Sequence, residues 1–456
     1  MTTDTARGAD MSAPPIATPA NAGFLDRYFK LTQHGTDVRT EFIAGMTTFL
    51  AMAYIIFVNP SILGQAGMPK ESVFVATCLI GALGTGVMGL YANYPIALAP
   101  GMGLNAYFAF VVVLGMGFPW QAALGAVFIS GVLFLAATVF GLRQLIVQGI
   151  PQALRVAITV GIGLFLALIA LKNAGIVAAN PATYVTLGDL HAPSVVLFAI
   201  GFAVVVTLDR MKFKGAIITS IILVTILSFF FGGNKFQGVV SMPPSIEPTF
   251  LKLDIMGAVS HGIGNVVLVF FLVELFDATG TLLGVAKRAG LLKDGAGGMK
   301  RMNKALLADS SAIFAGSLLG TSSTTAYIES AAGVQAGGRT GLTAVTVSLF
   351  FLAALFIAPL AGSVPPYATA PALFFVACLM LRELTEINWD ETTDVIPAAV
   401  TCLTMPFTYS IANGLAFGFI TFAVLKACTG RVKEVHWMVW LIAGIFLFKF
   451  IWLGGH

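Results

Sequence analysis

Charge is scarce in this chain of 456 residues: Asp, Glu, Lys and Arg together make up 10% of it, where soluble domains carry about a quarter. This shortage excludes an ordinary soluble globular protein. With 57% apolar residues and a mean hydropathy of +0.91, the composition predicts an all-α polytopic protein whose partner is the lipid bilayer. The net charge of +4 is spread over the loops, which argues against nucleic acid as a partner.

Cysteine and histidine are also sparse. The four cysteines show no CxxC spacing and the five histidines form no cluster near them, so we expect no metal site and no cofactor. HExxH and GxSxG motifs are missing, which argues against an enzyme. A channel is another alternative, but the sequence shows neither a continuous polar path nor a repeated filter ring.

The first 23 residues hold no apolar stretch of the kind that a cleavable signal peptide requires. They are rich in Ala, Pro and Thr, and we expect residues 1–23 to form a disordered cytoplasmic tail. Residues 24–40 mix aromatic and charged side chains, which predicts an amphipathic segment at the membrane surface.

From Glu41 onward, apolar stretches alternate with short loops. Several of them are shorter than the roughly 20 residues that a straight spanning helix needs. An additional apolar stretch, at 437–453, predicts a last helix on or in the membrane. The preceding stretches predict about fourteen elements, at 41–62, 72–91, 96–114, 119–140, 153–171, 194–208, 215–232, 257–286, 304–319, 322–337, 342–360, 367–382, 394–410 and 412–428.

The basic residues test this topology, because Lys and Arg accumulate in cytoplasmic loops. With the N-terminus inside, 20 of the 25 Lys and Arg residues fall in inner segments and four fall in outer loops. Only Lys449 lies outside this scheme. A shift of one span would scramble the alternation, so the pattern predicts a cytoplasmic N-terminus and an even number of elements before Arg431.

The third and tenth elements contain residues that interrupt a helix. Pro100, Gly101 and Gly103 follow the extended stretch IALAP, so we expect the helix of the third element to begin at about Gly103. The stretch from Gly320 to Thr325 precedes the helical run of the tenth element in the same way. Non-helical backbone at bilayer depth is tolerated only inside protein or beside a polar cavity, so the two extended stubs indicate one central site.

These two elements occupy matching places, third among the first seven and third among the second seven. This arrangement is typical of a 7+7 inverted repeat whose broken helices meet at a substrate site near the bilayer midplane. The N-termini of the two half helices would offer unpaired N–H groups to a polar, planar ligand that carries acceptor atoms.

Acidic residues in apolar segments are costly and mark substrate or proton paths. Glu274 and Asp277 lie three residues apart, on one face of the eighth element. Glu329 lies among small and apolar residues of the tenth element, where a carboxyl could carry a proton near neutral pH. We predict that Glu329 and Asp277 couple transport to protons and that all three acids bind substrate.

Each of these acids also has a structural interpretation, as an alternative to a role in substrate or proton binding. The acids of the eighth element could cap or pair with a lysine elsewhere in the bundle, but Lys and Arg occur in the neighbouring spans only at cytoplasmic ends. Glu329 would be a surface residue if the tenth element were wrongly placed. Asn105 and Thr324 complete the candidate substrate site, although Asn105 could equally bond a neighbouring helix.

Other polar residues have structural interpretations. We expect Asn59–Pro60 to end the first span, because the residue before a proline is pushed out of helical geometry. We expect Asp390, Glu391 and Asp394 to be solvated on an inner loop.

Four stretches, in order, resemble the AzgA-like purine permeases, a branch of the nucleobase–cation symporter-2 family: TTFLAMAYIIFVNPSIL, ALAPGMGLNAYFAF, LFDATGTLLGVA and GTSSTTAYIESAAGVQAGGRTGLTA. The resemblance extends from about Phe24 to the C-terminus. It implies a fold like that of the bacterial uracil permease, often assembled as a homodimer. A core domain (41–140 and 257–360) would move against a gate domain (153–232 and 367–428).

The resemblance further implies proton-coupled uptake of purine bases such as adenine, guanine or hypoxanthine across the inner membrane. Asn105, Asp277 and Glu329 match functional polar positions of the family, and Glu274 matches an acidic position of fungal relatives that varies among bacterial ones. An anion transporter of the same fold, such as a sulfate carrier, is the alternative. Such a carrier should favour a basic or neutral site instead of several acids.

Overall fold

The computed structural model describes residues 23–143, 149–260, 264–291 and 296–452. Residues 1–22 of the predicted tail and Leu453 of the predicted last helix lie outside these ranges. The described chain is mostly helical, because a helix satisfies its own backbone N–H and C=O groups where lipid offers no partners. Within the described ranges, nine helical segments are long and apolar enough to cross a membrane.

Helices of the first half follow the predicted elements one by one. Turns of π-helix at Met88–Ala92 and Tyr107–Val113 extend the helices of the second and third elements. The helices are α1 (Phe24–Phe29), α2 (Val38–Met52), α3 (Ile55–Gln65), α4 (Lys70–Val87), α5 (Met102–Ala106), α6 (Trp120–Val139), α7 (Gln152–Ala174), α8 (Pro193–Arg210) and α9 (Ala216–Phe231).

The second half repeats this order. Its described helices are α10 (Ile255–Ser260), α11 (Gly264–Arg288), α12 (Ala296–Leu319), α13 (Ser330–Gln335), α14 (Gly341–Ala354), α15 (Ala358–Gly362), α16 (Pro366–Met380), α17 (Thr392–Phe407), α18 (Ile411–Cys428) and α19 (Trp437–Trp452). Short 3-10 turns lie at Thr32–His34, Leu355–Ile357, Leu381–Glu386 and Val432–Glu434. Each of the predicted elements therefore contains helix, although the ninth begins earlier than expected, at Ala296.

Two short antiparallel sheets accompany the helices. The strands β2 (Val177–Asn180) and β3 (Tyr184–Leu187) form a hairpin in the loop after α7, which the sequence did not predict. The strands β1 (Leu98–Pro100) and β4 (Thr324–Ala326) are the extended stubs of the third and tenth elements.

The pairing of β1 with β4 joins the two interrupted elements. Leu98 lies opposite Ala326 and Pro100 opposite Thr324, and the N–H of Gly101 donates to the carbonyl of Ser323 at 2.9 Å. Because proline has no N–H to donate, Pro100 fits at the end of this short ladder. The predicted stubs are confirmed, and the helix of the third element begins at Met102, one residue before the expected position.

Two structural expectations are wrong. Pro60 lies inside α3, and the first span is interrupted instead at Ala53 and Tyr54. A proline is tolerated in a spanning helix when its surroundings satisfy the freed backbone groups. Asn59 does not end the helix; its amide donates to the hydroxyls of Thr77 at 2.7 Å and Thr321 at 2.9 Å.

Two of the three inner acids, Glu391 and Asp394, are paired instead of merely solvated, whereas Asp390 is exposed as expected. Glu391 lies 2.8 Å from the guanidinium of Arg431, and Asp394 lies 3.0 Å from the ammonium of Lys426. These ion pairs connect the start of α17 to the end of α18 and the turn that follows it. The sequence interpretation failed here because the basic partners lie more than 30 residues away in the chain.

Candidate functional site

Two consecutive serines at the start of the tenth element bind two of the predicted site residues. The hydroxyl of Ser322 donates to Oδ1 of Asn105, and the hydroxyl of Ser323 donates to Oε1 of Glu274. Ser130 of α6 donates to the other oxygen of Glu274 at 3.2 Å. The third and eighth elements therefore bond the extended stub of the tenth, and the fourth bonds the eighth through Glu274.

Asn105 and Glu274 are fully buried. Both oxygens of Glu274 accept hydrogen bonds, so this carboxylate holds α6, α11 and the tenth element together. Within the described residues, Nδ2 of Asn105 has no hydrogen-bond partner. A buried donor without a partner is unfavourable, so this amide is suited to donate to a bound molecule.

Asp277 and Glu329 form a second, partly exposed group. Asp277 lies on α11 and Glu329 immediately precedes α13, in the turn before the helix that was predicted to carry it. The helix that carries Asp277 packs against α13, which Glu329 precedes. Within the described ranges, neither forms an ion pair with Lys or Arg. The structure thus brings the two predicted proton-coupling residues together.

Tyr54 completes this group and was missed in the sequence. Its hydroxyl donates to Oε1 of Glu329 at 2.5 Å, from the interruption between α2 and α3. A tyrosine in an apolar span carries no signal that distinguishes it from a packing residue. Tyr327 lies nearby, and its hydroxyl donates to the carbonyl of Pro100 at 2.6 Å, which ties β4 to β1 a second time.

Thr324 is buried in β4 opposite Pro100. Its hydroxyl lies against Gly316 of α12, where an added Cβ would meet it at 2.7 Å. No described contact joins Thr324 to Asp277 or Glu329, and its role as a substrate ligand stays a prediction.

A buried ion pair beside the site was also missed. Nη1 of Arg143 lies 3.1 Å from Oδ2 of Asp309, and Nε of Arg143 donates to the hydroxyl of Thr279 at 2.9 Å. Arg143 is one of the basic residues counted in the inner segments, and it follows α6 closely, but its side chain is only 1% exposed. A basic residue at the end of a span thus turns its side chain into the protein interior. Asp309 lies in the predicted ninth span, so the signal that selected Asp277 was present for it too.

The site offers carboxylates, one amide donor and hydroxyl groups, which suit hydrogen bonding to a neutral polar ligand. Among the described residues, no group of three or more His, Cys, Asp or Glu is placed to hold a metal ion. Two interrupted elements paired at the centre of an apolar helical bundle, with carboxylates beside them, define a multi-pass membrane transporter.

The sequence comparisons agree with this class. The sequence model of the permease family matches residues 39–447. The chain belongs to this permease family, the nucleobase–cation symporter-2 family. The adenine permease AdeQ of Escherichia coli strain K12 is 49% identical over 430 residues, covering 94% of this chain and 97% of AdeQ. The guanine/hypoxanthine permease PbuO of Bacillus subtilis is 44% identical over 429 residues, covering 92% of this chain and 99% of PbuO.

Solved structures share the fold at low sequence identity. The transmembrane domain of a cyanobacterial bicarbonate transporter, BicA, matches with a TM-score of 0.61 at 16% identity, covering 84% of this chain and 97% of that domain. The murine anion transporter Slc26a9 matches with a TM-score of 0.61 at 12% identity, covering 92% of this chain and 74% of that one. The chain is thus an all-α membrane protein with a 7+7 inverted repeat.

Proposed function

We propose that this chain imports purine nucleobases by proton symport, with the base bound beside Asp277 and Glu329. The observation that carries the proposal is that these two partly exposed carboxylates lie on α11 and just before α13, two helices that pack against each other next to the β1–β4 pair. Relatives named adenine permease or guanine/hypoxanthine permease, which match nearly the whole chain, support the substrate class.

The chemistry of a purine fits this group of side chains. A carboxylate accepts hydrogen bonds from ring N–H or exocyclic amino groups, while the free amide hydrogens of Asn105 suit ring nitrogen or carbonyl acceptors. Because a purine is neutral, its binding leaves the charge of the two carboxylates uncompensated. One proton taken up by Asp277 or Glu329 relieves their repulsion and couples entry to the proton gradient.

Transport would follow alternating access between a core domain (elements 1–4 and 8–11) and a gate domain (elements 5–7 and 12–14). Helix packing supports this division, because α7 packs on α16 and α17 while α16 packs on α8 and α9. In the other group, α12 packs on α4 and α6, and α14 packs on α2 and α4. Asp277 and Glu329 both belong to the second group, which would carry the base past the gate helices.

The proposal includes location in the cell inner membrane, a cytoplasmic N-terminus and assembly as a homodimer. The cytoplasmic N-terminus rests on the bias of basic residues toward predicted inner segments. The inner-membrane location and the dimer rest on the family resemblance. Cysteine labelling at the N-terminus from either side of the membrane, and the mass of the purified protein in detergent, test these points.

An anion transporter of the same fold is the second candidate, because BicA and Slc26a9 share the architecture. The acidic character of the site opposes this candidate, since two carboxylates repel an anion that approaches them. Uptake of bicarbonate or sulfate that exceeds uptake of adenine would favour it.

The decisive experiment measures uptake of radiolabelled adenine and hypoxanthine by cells that express the chain, with and without a protonophore. We expect saturable uptake that the protonophore abolishes. Asp277→Asn and Glu329→Gln should each lose uptake or its pH dependence while reaching the membrane in normal amounts. Glu247→Gln, on an exposed loop, is the matched control and should behave as wild type. Purine uptake with unchanged pH dependence in both site variants would refute the coupling mechanism.

A further inference from the structure

The buried ion pair of Arg143 and Asp309 contacts both elements that carry the proposed substrate site. On one side, Nε of Arg143 donates to Thr279, two residues after Asp277 on α11. On the other side, α12, which carries Asp309, packs on β4, the strand that ends at Ala326. Glu329 follows Ala326 by three positions along the chain.

The guanidinium of Arg143 is held from several directions. It lies 4.5 Å from the ring centre of Phe134, one turn before the end of α6, and Nη1 also approaches the carbonyl of Leu306 at 3.5 Å. Arg143 and Asp309 are 1% and 0% exposed. A planar guanidinium with this many contacts has one orientation, so the groups bonded to it have fixed relative positions.

Stability alone does not account for such a pair. Two charges removed from water lose hydration that their mutual attraction repays only in part, and well-packed apolar residues often replace a buried ion pair without loss of stability. The arrangement is better explained by the geometry that it imposes on the residues around it.

We propose that Arg143 and Asp309 are positioning residues for the substrate site: through Thr279 and β4, the ion pair fixes the separation between the Asp277 and Glu329 carboxylates. A base that bonds both carboxylates needs that separation to match its own donor groups, so loss of the pair weakens substrate binding.

The test separates the effect of the charges of Arg143 and Asp309 from the effect of the geometry that the guanidinium imposes. The double variant Arg143→Gln/Asp309→Asn removes both charges and therefore leaves no unpaired ion in the interior. Arg143→Lys keeps the charge balance but replaces the rigid fork by a point charge that cannot hold Asp309 and Thr279 in the same way. Arg431→Gln, which breaks an exposed ion pair with Glu391 and Glu434, is the control.

The measurements are KM and Vmax for adenine uptake, corrected for the amount of each variant in the membrane. We expect the double variant to reach the membrane and to show a KM raised by about tenfold, because small displacements of binding groups have large effects. Arg143→Lys should show a smaller rise, and the control should keep the wild-type KM. A double variant with wild-type KM would overturn the proposal, because the pair would then only balance charge.

If the double variant fails to reach the membrane, Arg143→Lys decides: a raised KM supports the positioning role and a wild-type KM overturns it. The inference rests on the proposed function, but different results would refute the function and the positioning role. Absence of adenine uptake by the wild-type chain would refute the function, whereas normal wild-type uptake with unchanged KM in the variants would refute only the positioning role.

Discussion

Glu274 and Asp277 lie three residues apart on α11, yet their surroundings are opposite. Glu274 is fully buried and accepts hydrogen bonds from Ser130 and Ser323. Asp277 is partly exposed, and its helix packs against α13, which a second partly exposed carboxylate, that of Glu329, precedes. A carboxylate whose oxygens are already bonded fixes the positions of its neighbours, whereas one with free acceptor capacity is available to a ligand or a proton.

The same contrast extends to the residues around each acid. Arg143 bonds both Asp309 and Thr279, and all three residues are buried, so they form a closed polar cluster around the guanidinium. Around Glu329, Tyr54 supplies one hydrogen bond. We infer that the closed cluster determines the shape of the site and that the partly exposed group does the transport chemistry.

Truncation of each acid of α11 should have the largest effects and should separate their two roles. Asp277→Ala should reduce purine uptake to background and leave the unfolding temperature close to that of wild type. Glu274→Ala should lower the free energy of unfolding by about 2 kcal/mol or more, because the hydroxyls of Ser130 and Ser323 lose their acceptor inside the protein. Thermal unfolding in detergent and initial uptake rates measure the two effects.

Asp277→Asn and Glu274→Gln serve as isosteric controls for this truncation. Glu274→Gln keeps an acceptor for one serine and should destabilise the protein less than Glu274→Ala. The reverse pattern, with Asp277→Ala unfolded and Glu274→Ala inactive but stable, would assign the structural role to Asp277 and the transport role to Glu274.

Tyr54→Phe tests the role of the hydrogen bond that Tyr54 donates to Glu329. It removes one hydrogen bond to a carboxylate, a bond whose net value is about 1.5–3 kcal/mol when the acceptor is charged. We expect a shift in the pH dependence of uptake toward higher pH, because a carboxylate that loses a donor binds its proton more tightly. Uptake rates at a series of pH values measure the shift.

Tyr367→Phe is the control for Tyr54→Phe. Among the described residues, the hydroxyl of Tyr367 is buried without a hydrogen-bond partner, so its removal should leave uptake unchanged. If both variants shift the profile equally, the bond between Tyr54 and Glu329 does not influence the proton site.

Much of this architecture could be predicted from the sequence because lipid restricts what a chain can do. The spans follow from apolar stretches, and the two stubs follow from Pro100 and from the Gly320–Thr325 stretch, since only a polar or buried place tolerates irregular backbone. Asp277 and Glu329 could be selected because a carboxyl in such a segment is expensive. Each of these inferences depends on local composition.

Contacts between distant segments could not be predicted in this way. Asn59 bonds Thr321, 262 residues away, and Arg143 turns inward to Asp309, although the loop rule for basic residues assigned it to the cytoplasmic side. That rule counts charge near the ends of spans and says nothing about the direction of a side chain. Tyr54 shows the same limit, because its partner is determined by the tertiary fold alone.

Glu391 lies outside the membrane-spanning helices and serves as the reference for the acids inside them. Its replacement should have the smallest effect on the protein. The hydrogen bond from the Thr393 hydroxyl, followed by that from Arg431, lowers the pKa of the Glu391 carboxyl from 4.5 to about 2. A group whose pKa is lower in the folded state stabilises the fold above its unfolded pKa and loses that contribution as pH falls toward the folded pKa. The contribution of Glu391 should therefore be constant near neutral pH and decline between about pH 4.5 and about pH 2.

Glu391→Gln tests this expectation against the buried acids. The variant should unfold at a slightly lower temperature than wild type at neutral pH, because exposed ion pairs contribute little and salt screens them. The difference should shrink as the pH falls through the window above, while purine uptake at neutral pH stays unchanged. A difference that persists at the acid end of the window would mean that Glu391 acts through helix capping and not through its charge. A loss of uptake would instead show that transport needs a carboxylate outside the membrane-spanning helices. The division of roles among Glu274, Asp277 and Glu329 would then be incomplete.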